Sequence, residues 1–132
     1  MFYLDTNTCI YFLNGRYESV KDKILATSPA KIAIPAIVKA ELLQGAYKSS
    51  RSAENTQKVE KFLQPFAIVP FSDAATYKYA EIRSQTEKSG QCVGPNDLVI
   101  AAIVMADNAT LITNNVAEFQ RIKKLKLENW CA

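Results

Sequence analysis

The sequence predicts a single α/β domain whose central parallel sheet of four to five strands is covered by helices on both faces. Short apolar, β-branched segments alternate along the chain with longer segments whose apolar residues recur at helical spacing. The 132 residues, 48% of them hydrophobic, are enough for one domain with a sizeable core. Because no repeat, low-complexity tract or long linker divides the chain, we expect residues 1–132 to form one domain.

In the first half of the chain, an apolar strand at residues 2–4 is followed by Asp5 and Thr6, either of which can cap a helix. The β-branched segment at residues 31–34 predicts a second strand, and Pro35 is a good first residue for the next helix. The helices predicted in this half are residues 8–13, 19–26, 35–46 and 53–63.

In the second half, residues 67–71 predict a third strand, and Ser72 or Asp73 caps a helix over residues 73–88. After the loop SGQCVGP, Asn96 or Asp97 starts a helix that is apolar all round and should be buried. Residues 110–112 predict a fourth strand, and residues 125–127 a fifth at an edge of the sheet.

The absence of histidine restricts the chemistry that this chain can perform. It removes the commonest general base, the serine and cysteine mechanisms that depend on it, and most catalytic zinc sites. An enzyme of this composition works with carboxylates and hard metal ions. The net charge of +3 permits a polyanionic partner without requiring one.

The three cysteines are widely spaced and form no CxxC pair, which favours free thiols in a reducing compartment over disulfides or zinc. No apolar run approaches the roughly 20 residues that a membrane helix needs. The short apolar stretch at the N-terminus lacks a preceding basic region, so no secretory signal is predicted. A cytoplasmic location is therefore expected.

Each acidic residue of interest has an ordinary structural explanation. Asp5 follows a strand, where an aspartate is commonly a helix cap, and Asp97 lies where acids favour the positive first turn of a helix. Glu118, after the fourth strand, would most often be a surface acid, and Asn114 and Asn115 would most often be turn residues.

Glu41 is harder to assign to the surface, because it shares a helix face with Ile37 and Val38. A carboxylate in such a half-apolar setting is costly unless it is paired, hydrated or bound to a cation. A solvated or salt-bridged helix residue remains an equal alternative.

Taken together, these acids could converge, because ligands of parallel sheets bind beyond the carboxyl ends of the strands. Clustered carboxylates repel one another and need a cation, and oxygen ligands suit Mg²⁺ or Mn²⁺. A bound Mg²⁺ suits phosphate chemistry, since it activates water and stabilises charge on phosphoryl oxygens.

The segments MFYLDTNTCIYFL, AELLQGA, GPNDLVIAA and LITNNVAEF, in this order and spacing, resemble the PIN-domain nucleases. More closely, they resemble the VapC-type toxins of bacterial type II toxin–antitoxin systems. The resemblance covers essentially the whole chain, including the LKLENW ending. It implies a three-layer α/β/α fold and cleavage of RNA, typically in tRNA or ribosomal RNA loops, with Mg²⁺ or Mn²⁺.

By this resemblance, Asp5 and Asp97 match the two principal metal-binding acids, and Glu41 matches the acid of the helix after the second strand. The chain departs from the usual four-acid pattern because positions 114 and 115 are both Asn. Glu118 is therefore taken as the fourth acid of the catalytic set, which puts a second metal ion in doubt. Groups expected beside the metal or facing phosphate are Thr6, Thr113 and Asn115.

The resemblance also implies a cognate antitoxin that covers the active site, a homodimer, and larger toxin–antitoxin complexes. RNA could contact two basic clusters, RIKKLK (residues 121–126) and KSSR (residues 48–51), although a solvated edge is an equal alternative for the first. Tyr3, Tyr11, Tyr47, Tyr77 and Tyr79 are expected in the core or at interfaces rather than as base-stacking platforms.

Three alternative functions remain open. A catalytically inactive PIN domain could act only as an RNA- or protein-binding module, although the intact Asp5, Glu41 and Asp97 argue against it. A DNA nuclease of the same fold would usually be longer. A phosphotransfer enzyme with Asp5 as nucleophile would want a second acid two residues on, where this chain has Asn7.

Overall fold

Five short strands form one parallel sheet in a computed structural model that describes residues 1–131. In chain order they are β1 (Phe2–Leu4), β2 (Ile32–Pro35), β3 (Ala67–Val69), β4 (Thr110–Ile112) and β5 (Lys126–Glu128). Their order across the sheet is β3-β2-β1-β4-β5, and every neighbouring pair is parallel. The predicted parallel sheet is confirmed, with β1 at its centre.

Seven α-helices and one short 3₁₀ turn (Pro29–Lys31) connect these strands within residues 1–131. The helices are α1 (Thr6–Asn14), α2 (Glu18–Ala26), α3 (Ala36–Tyr47), α4 (Ser52–Leu63), α5 (Asp73–Lys88), α6 (Pro95–Ala106) and α7 (Val116–Phe119). None of the helices that the structure describes is long and apolar enough to cross a membrane.

Both faces of the sheet are covered by helices, as a three-layer α/β/α fold requires. Successive residues of a strand point to opposite faces, and Ile32, Ala33 and Ile34 of β2 are all fully buried. The apolar helix α6 is also buried, as its composition predicts, with Leu98 and Ile100 to Val104 in the core.

Several boundaries differ from the sequence prediction by one or two residues. Pro35 pairs with Val69 as the last residue of β2 and does not open α3. The buried helix α6 begins at Pro95, ahead of the predicted Asn96 or Asp97, because proline fits the first helical position. The 3₁₀ turn before β2 was not predicted.

The central strand β1 and its neighbour β4 end side by side at the carboxyl edge of the sheet. Beyond β1, the backbone N–H of Asp5 donates to the carbonyl of Ile112 over 3.1 Å. Beyond β4, the N–H of Thr113 donates to the carbonyl of Glu128 over 3.0 Å. Asp5 and Thr113 are thereby held next to each other at this edge.

Candidate active site

Asp5 is a buried carboxylate at the junction of β1 and α1, with 5% of its surface exposed. Its Oδ1 accepts a hydrogen bond from the backbone N–H of Thr8 over 2.8 Å, so it caps α1. Its Oδ2 accepts from the hydroxyl of Thr113 over 2.6 Å. One oxygen of Asp5 therefore caps the helix α1. The other oxygen binds Thr113, which follows the neighbouring strand β4.

Thr113 links Asp5 to the loop that follows β4. Its side chain is fully buried, and its hydroxyl oxygen also accepts a hydrogen bond from the backbone N–H of Asn115 over 2.9 Å. Asn115 in turn donates its side-chain N–H to Oε2 of Glu118 over 2.8 Å. A continuous chain of hydrogen bonds thus runs from Asp5 to Glu118 through two residues predicted to lie in the site.

Glu41 approaches the same edge from α3. Its Oε1 accepts a hydrogen bond from the hydroxyl of Thr6, the first residue of α1, over 2.8 Å. Glu41 and Thr6 are both half-buried. The pair joins the helices that follow β1 and β2, the arrangement expected if Glu41 belongs to the carboxylate cluster.

Asp97, in the first turn of α6, and Glu118, in α7, lie next to each other. The backbone N–H of Gly94 donates to Oε1 of Glu118 over 2.9 Å. A methyl group at position 94 would lie 3.5 Å from that Oε1 and 3.8 Å from Oδ2 of Asp97. Glu118 is thus the acid adjacent to Asp97, while Asn115 supports it by a hydrogen bond.

The proximity of the four acids changes their pKa values. Burial raises the pKa of Asp5, and the negative charge of Glu41 raises it further, while hydrogen bonds from Thr113 and Thr8 oppose both. Burial and the charges of Glu118, Asp5 and Glu41 raise the pKa of Asp97 to about 7.

The pKa of Glu118 shifts in the opposite direction to that of Asp97. The hydrogen bond from the Gly94 N–H lowers the pKa of Glu118, and the Asn115 amide and the positive charge of Arg121 act the same way. Burial and the neighbouring negative charges therefore favour the protonated form of Asp97, while the hydrogen bonds to Glu118 favour its charged form. Opposite pKa shifts on two adjacent carboxyl groups are typical of functional sites, although structural networks also produce them.

The donor set of this site fits a hard cation. It consists of carboxylate oxygens supported by hydroxyl and amide groups, the ligands that suit Mg²⁺ or Mn²⁺. Burial raises the pKa values of Asp5 and Asp97, and the like charges around them raise these values further, a repulsion that a cation would relieve. Among residues 1–131, however, no group of three or more aspartate, glutamate, cysteine or histidine side chains is arranged so that it could hold a metal ion.

One contact of the site had no counterpart in the sequence interpretation. Gly94 was assigned only to a loop, yet its backbone N–H holds Glu118 in place. Residue type carries no signal for such a role, because every residue except proline has this N–H. Thr8, whose N–H binds Asp5, could have been found as the residue three positions after a helix cap.

The predicted RNA-contacting clusters are partly engaged within the protein. Arg121 donates to the carbonyl of Cys92 over 2.8 Å, and Lys126 to the side chain of Asn108 over 3.3 Å. In the KSSR cluster, Arg51 pairs with Glu54. Their contact with RNA stays a prediction. Of the tyrosines, Tyr3 is buried as expected, whereas Tyr47 and Tyr77 are mostly exposed.

Comparison with known proteins gives full-length matches. A sequence model of the family described as "PIN domain" matches residues 2–125. Ribonuclease VapC2 of Rickettsia felis is 43% identical over 131 residues, covering 98% of each chain. The tRNA(fMet)-specific endonuclease VapC of Salmonella typhimurium is 34% identical, again over 98% of each chain.

Solved structures of similar proteins match the fold. A chain in the crystal structure of VapBC2 from Rickettsia felis, bound to a DNA fragment from its promoter, superimposes with a TM-score of 0.92 at 42% identity. That match covers 98% of this chain and 99% of the other. DNA-bound VapBC from Salmonella typhimurium gives a TM-score of 0.93 at 32% identity, covering 98% of each chain.

Proposed function

The chain belongs to the PIN-domain family, and from this premise we propose that it is an endoribonuclease, the toxin of a toxin–antitoxin pair. Its relatives across the full length are VapC ribonucleases, and the matching structures are toxin–antitoxin complexes. The finer proposal is hydrolysis of phosphodiester bonds in tRNA or ribosomal RNA loops, which blocks translation. We place this activity in the cytoplasm, where those RNAs are.

The observation that carries the proposal is the convergence of Asp5, Glu41, Asp97 and Glu118 at one edge of the sheet. In a chain without histidine, this cluster is the strongest candidate for hydrolytic chemistry. The acids come from four separate segments, and the raised pKa of Asp97 depends, after burial, on the charges of the other three. A cluster with only a structural role would not need four carboxyl groups so close to one another.

We propose that Asp5 and Asp97 would hold Mg²⁺, with Mn²⁺ as a substitute. Mg²⁺ supplies positive charge against the phosphoryl oxygens and makes water a stronger nucleophile at neutral pH. Thr8 and Thr113 orient Asp5, while Gly94 and Asn115 orient Glu118. Glu41 and Glu118 are the acceptors available to orient the attacking water and take its proton.

The proposed partners are the RNA substrate, a cognate antitoxin, and a second copy of this chain in a homodimer. The antitoxin follows from the VapBC complexes to which the chain is similar. The tRNA proposal is supported by relatives in Salmonella typhimurium and Shigella flexneri that are named tRNA(fMet)-specific endonucleases, at 34% and 31% identity.

The test is incubation of the purified, antitoxin-free protein with total bacterial RNA, with Mg²⁺ or Mn²⁺ and with chelator. We expect one or a few discrete fragments, lost with chelator and with either Asp5→Asn or Asp97→Asn. Asp73→Asn is the matched control, because Asp73 occupies the first turn of α5 as Asp97 does that of α6, but is exposed. This control should cut like the wild type.

The same experiment separates the alternatives. Intact RNA under every condition, from a folded and metal-supplemented protein, would favour a binding-only PIN domain. Cleavage of single-stranded or duplex DNA alone would favour a DNA nuclease of the same fold. A phosphate covalently bound to Asp5 would favour phosphotransfer.

A further inference from the structure

Arg16 is fixed in position by the turn that ends α1. Gly15 adopts a left-handed conformation with φ of 69°, which L-residues rarely adopt and glycine adopts freely. The backbone N–H of Arg16 then donates to the carbonyl of Tyr11 over 3.1 Å and to the side chain of Asn14 over 3.0 Å. The chain is thereby turned back on the helix, and the Arg16 side chain starts close to Tyr11.

The guanidinium of Arg16 lies against two aromatic rings. Its central carbon is 5.6 Å from the ring centroid of Tyr11 and 5.4 Å from that of Tyr17. The two rings meet edge to face, with centroids 4.8 Å apart at 72°. Since each ring attracts a cation through its face, the two rings hold the guanidinium while Arg16 remains exposed.

The charge of Arg16 is not neutralised by any ion pair that the structure describes. The salt bridges within residues 1–131 involve other arginines and lysines, and no guanidinium hydrogen bond from Arg16 is present in that part of the chain. Arg16 is exposed, while Tyr11 and Tyr17 are half-buried against the core. An ordered, exposed and unpaired cation is a ready partner for an anion.

The segment that follows β5 connects the carboxyl edge of the sheet to Ser19, three residues after Arg16. Asn129 donates to the side chain of Asn114, next to Thr113, over 3.0 Å. One residue further, the carbonyl of Trp130 accepts from Ser19, at the start of α2, over 2.8 Å. Burial raises the pKa of the Cys131 thiol and the charge of Asp5 raises it further, whereas the charge of Arg16 lowers it, so both charges act on this one thiol.

We propose that Arg16, held by Tyr11 and Tyr17, binds a backbone phosphate of the RNA strand next to the cleaved bond. This inference rests on the proposed ribonuclease function. Four carboxylates repel an approaching polyanion, so the strand needs cations at the rim of the acid cluster. The guanidinium fork matches phosphate oxygens in a bidentate contact, and its fixed orientation reduces the entropy lost on binding.

The test measures binding of fluorescently labelled bulk tRNA across a series of salt concentrations, with Asp5→Asn as the background that prevents cleavage. Each phosphate contact contributes about 0.7 to 0.9 to the slope of log K against log salt. Arg16→Gln should therefore reduce the slope by about that amount. Arg16→Lys keeps the charge and should retain most of the slope while weakening binding, because an ammonium group lacks the fork.

Lys31→Gln is the matched control. Lys31 is exposed and directly precedes β2, so it lies at the amino edge of the sheet, opposite the acids. Its loss removes the same charge and should leave the slope unchanged. In the wild-type background, Arg16→Gln should raise KM for tRNA more than it lowers kcat.

The outcomes separate this inference from the proposed function. If Arg16→Gln lowers thermal stability but leaves the salt slope and KM unchanged, Arg16 only holds the fold, and the phosphate site is wrong. An equal slope reduction by Lys31→Gln would also contradict it, because the effect would then be one of net charge. A wild-type chain that neither binds nor cuts tRNA overturns the proposed tRNA substrate together with the phosphate site.

Discussion

The hydroxyl of Thr113 donates a 2.6 Å hydrogen bond to Oδ2 of Asp5, although the two residues are 108 positions apart in the chain. Both side chains are buried, and the same hydroxyl oxygen accepts from the N–H of Asn115. Thr113 therefore fixes the orientation of Asp5 and the conformation of the loop that carries Glu118. The two carboxylates are positioned by one side chain.

Replacement of Thr113 by valine should impair both stability and activity. Valine has nearly the same shape but no hydroxyl, so one buried oxygen of Asp5 and the N–H of Asn115 lose a partner. The free energy of unfolding should fall by about 1–3 kcal/mol. Urea unfolding and RNA cleavage would measure the two effects. Thr113→Ser keeps the hydroxyl and should retain most of the stability and most of the activity. Equal activity of the valine and serine variants would contradict the proposed role of the Thr113 hydroxyl.

Asp5→Asn and Asp5→Ala should have the same effect on activity and different effects on stability. Both remove the negative charge, so we expect no cleavage from either. Asparagine still accepts from the N–H of Thr8 and caps α1, whereas alanine cannot, at a cost of about 1 kcal/mol. Thermal melts compared with RNA cleavage check this. Cleavage at the wild-type rate by Asp5→Asn would remove Asp5 from the mechanism.

Gly94→Ala should raise stability and lower activity. The backbone at position 94 has φ of −56° and ψ of 148°, which alanine adopts without strain. Loss of unfolded-state entropy should stabilise the fold by about 0.4–1 kcal/mol. The added methyl would lie 3.5 Å from Glu118 and 3.8 Å from Asp97, in the space between them. We expect a higher Mg²⁺ concentration for half-maximal cleavage.

Gly45→Ala is the control for that experiment. Gly45 lies in the interior of α3, and a methyl group there meets nothing within 4 Å. It should stabilise the protein by about 0.5–1 kcal/mol without changing the Mg²⁺ requirement. A similar shift in the Mg²⁺ requirement of both variants would show that position 94 has no special effect.

In the absence of divalent cations, the protein should lose stability as the pH rises from about 4 to about 7. The folded state raises the pKa of Asp97 from 3.8 to about 7, so it binds a proton that the unfolded chain has released. The contribution of Asp97 is present at low pH and lost as the pH passes its folded pKa. Burial also raises the pKa of Asp5, so this residue contributes to the pH dependence with the same sign.

This pH dependence is measured by urea unfolding in chelator at pH 5 and pH 7.5. Since the chain has no histidine, few other groups titrate in that range. Asp97→Asn should flatten the dependence, and Asp73→Asn should preserve it. Mg²⁺ should stabilise the wild type more at pH 7.5, because protons compete with the ion for Asp97. A wild type whose stability rises over this range would contradict the assignment.

The fold was predictable because the strands β1 to β4 are short, apolar and each followed by a helix. Ser72 was predicted as one of two caps for α5, and its hydroxyl accepts from the N–H of Ala75. Boundaries were less predictable where tertiary pairing decides them. Pro35 has the properties of a first helical residue, but pairing with Val69 makes it the end of β2.

For the candidate site, the sequence predicted a set of acids but did not show how their side chains are held. Strand order brings Asp5 and Thr113 together, and neither residue has a local pattern that names the other. The hydrogen bond from Gly94 to Glu118 is still less visible, because it uses the backbone. Long-range contacts and backbone donors are therefore what the structure adds.

The central position of β1 has a consequence for synthesis of the protein. β1 pairs with β2 on one side and with β4 on the other, and the hydroxyl that orients Asp5 belongs to Thr113, 108 positions later. A nascent chain that has left the ribosome as far as β3 therefore has neither β4 nor Glu118 available. The translation machinery that makes this chain is not exposed to a complete set of acids until nearly all of it has been synthesised.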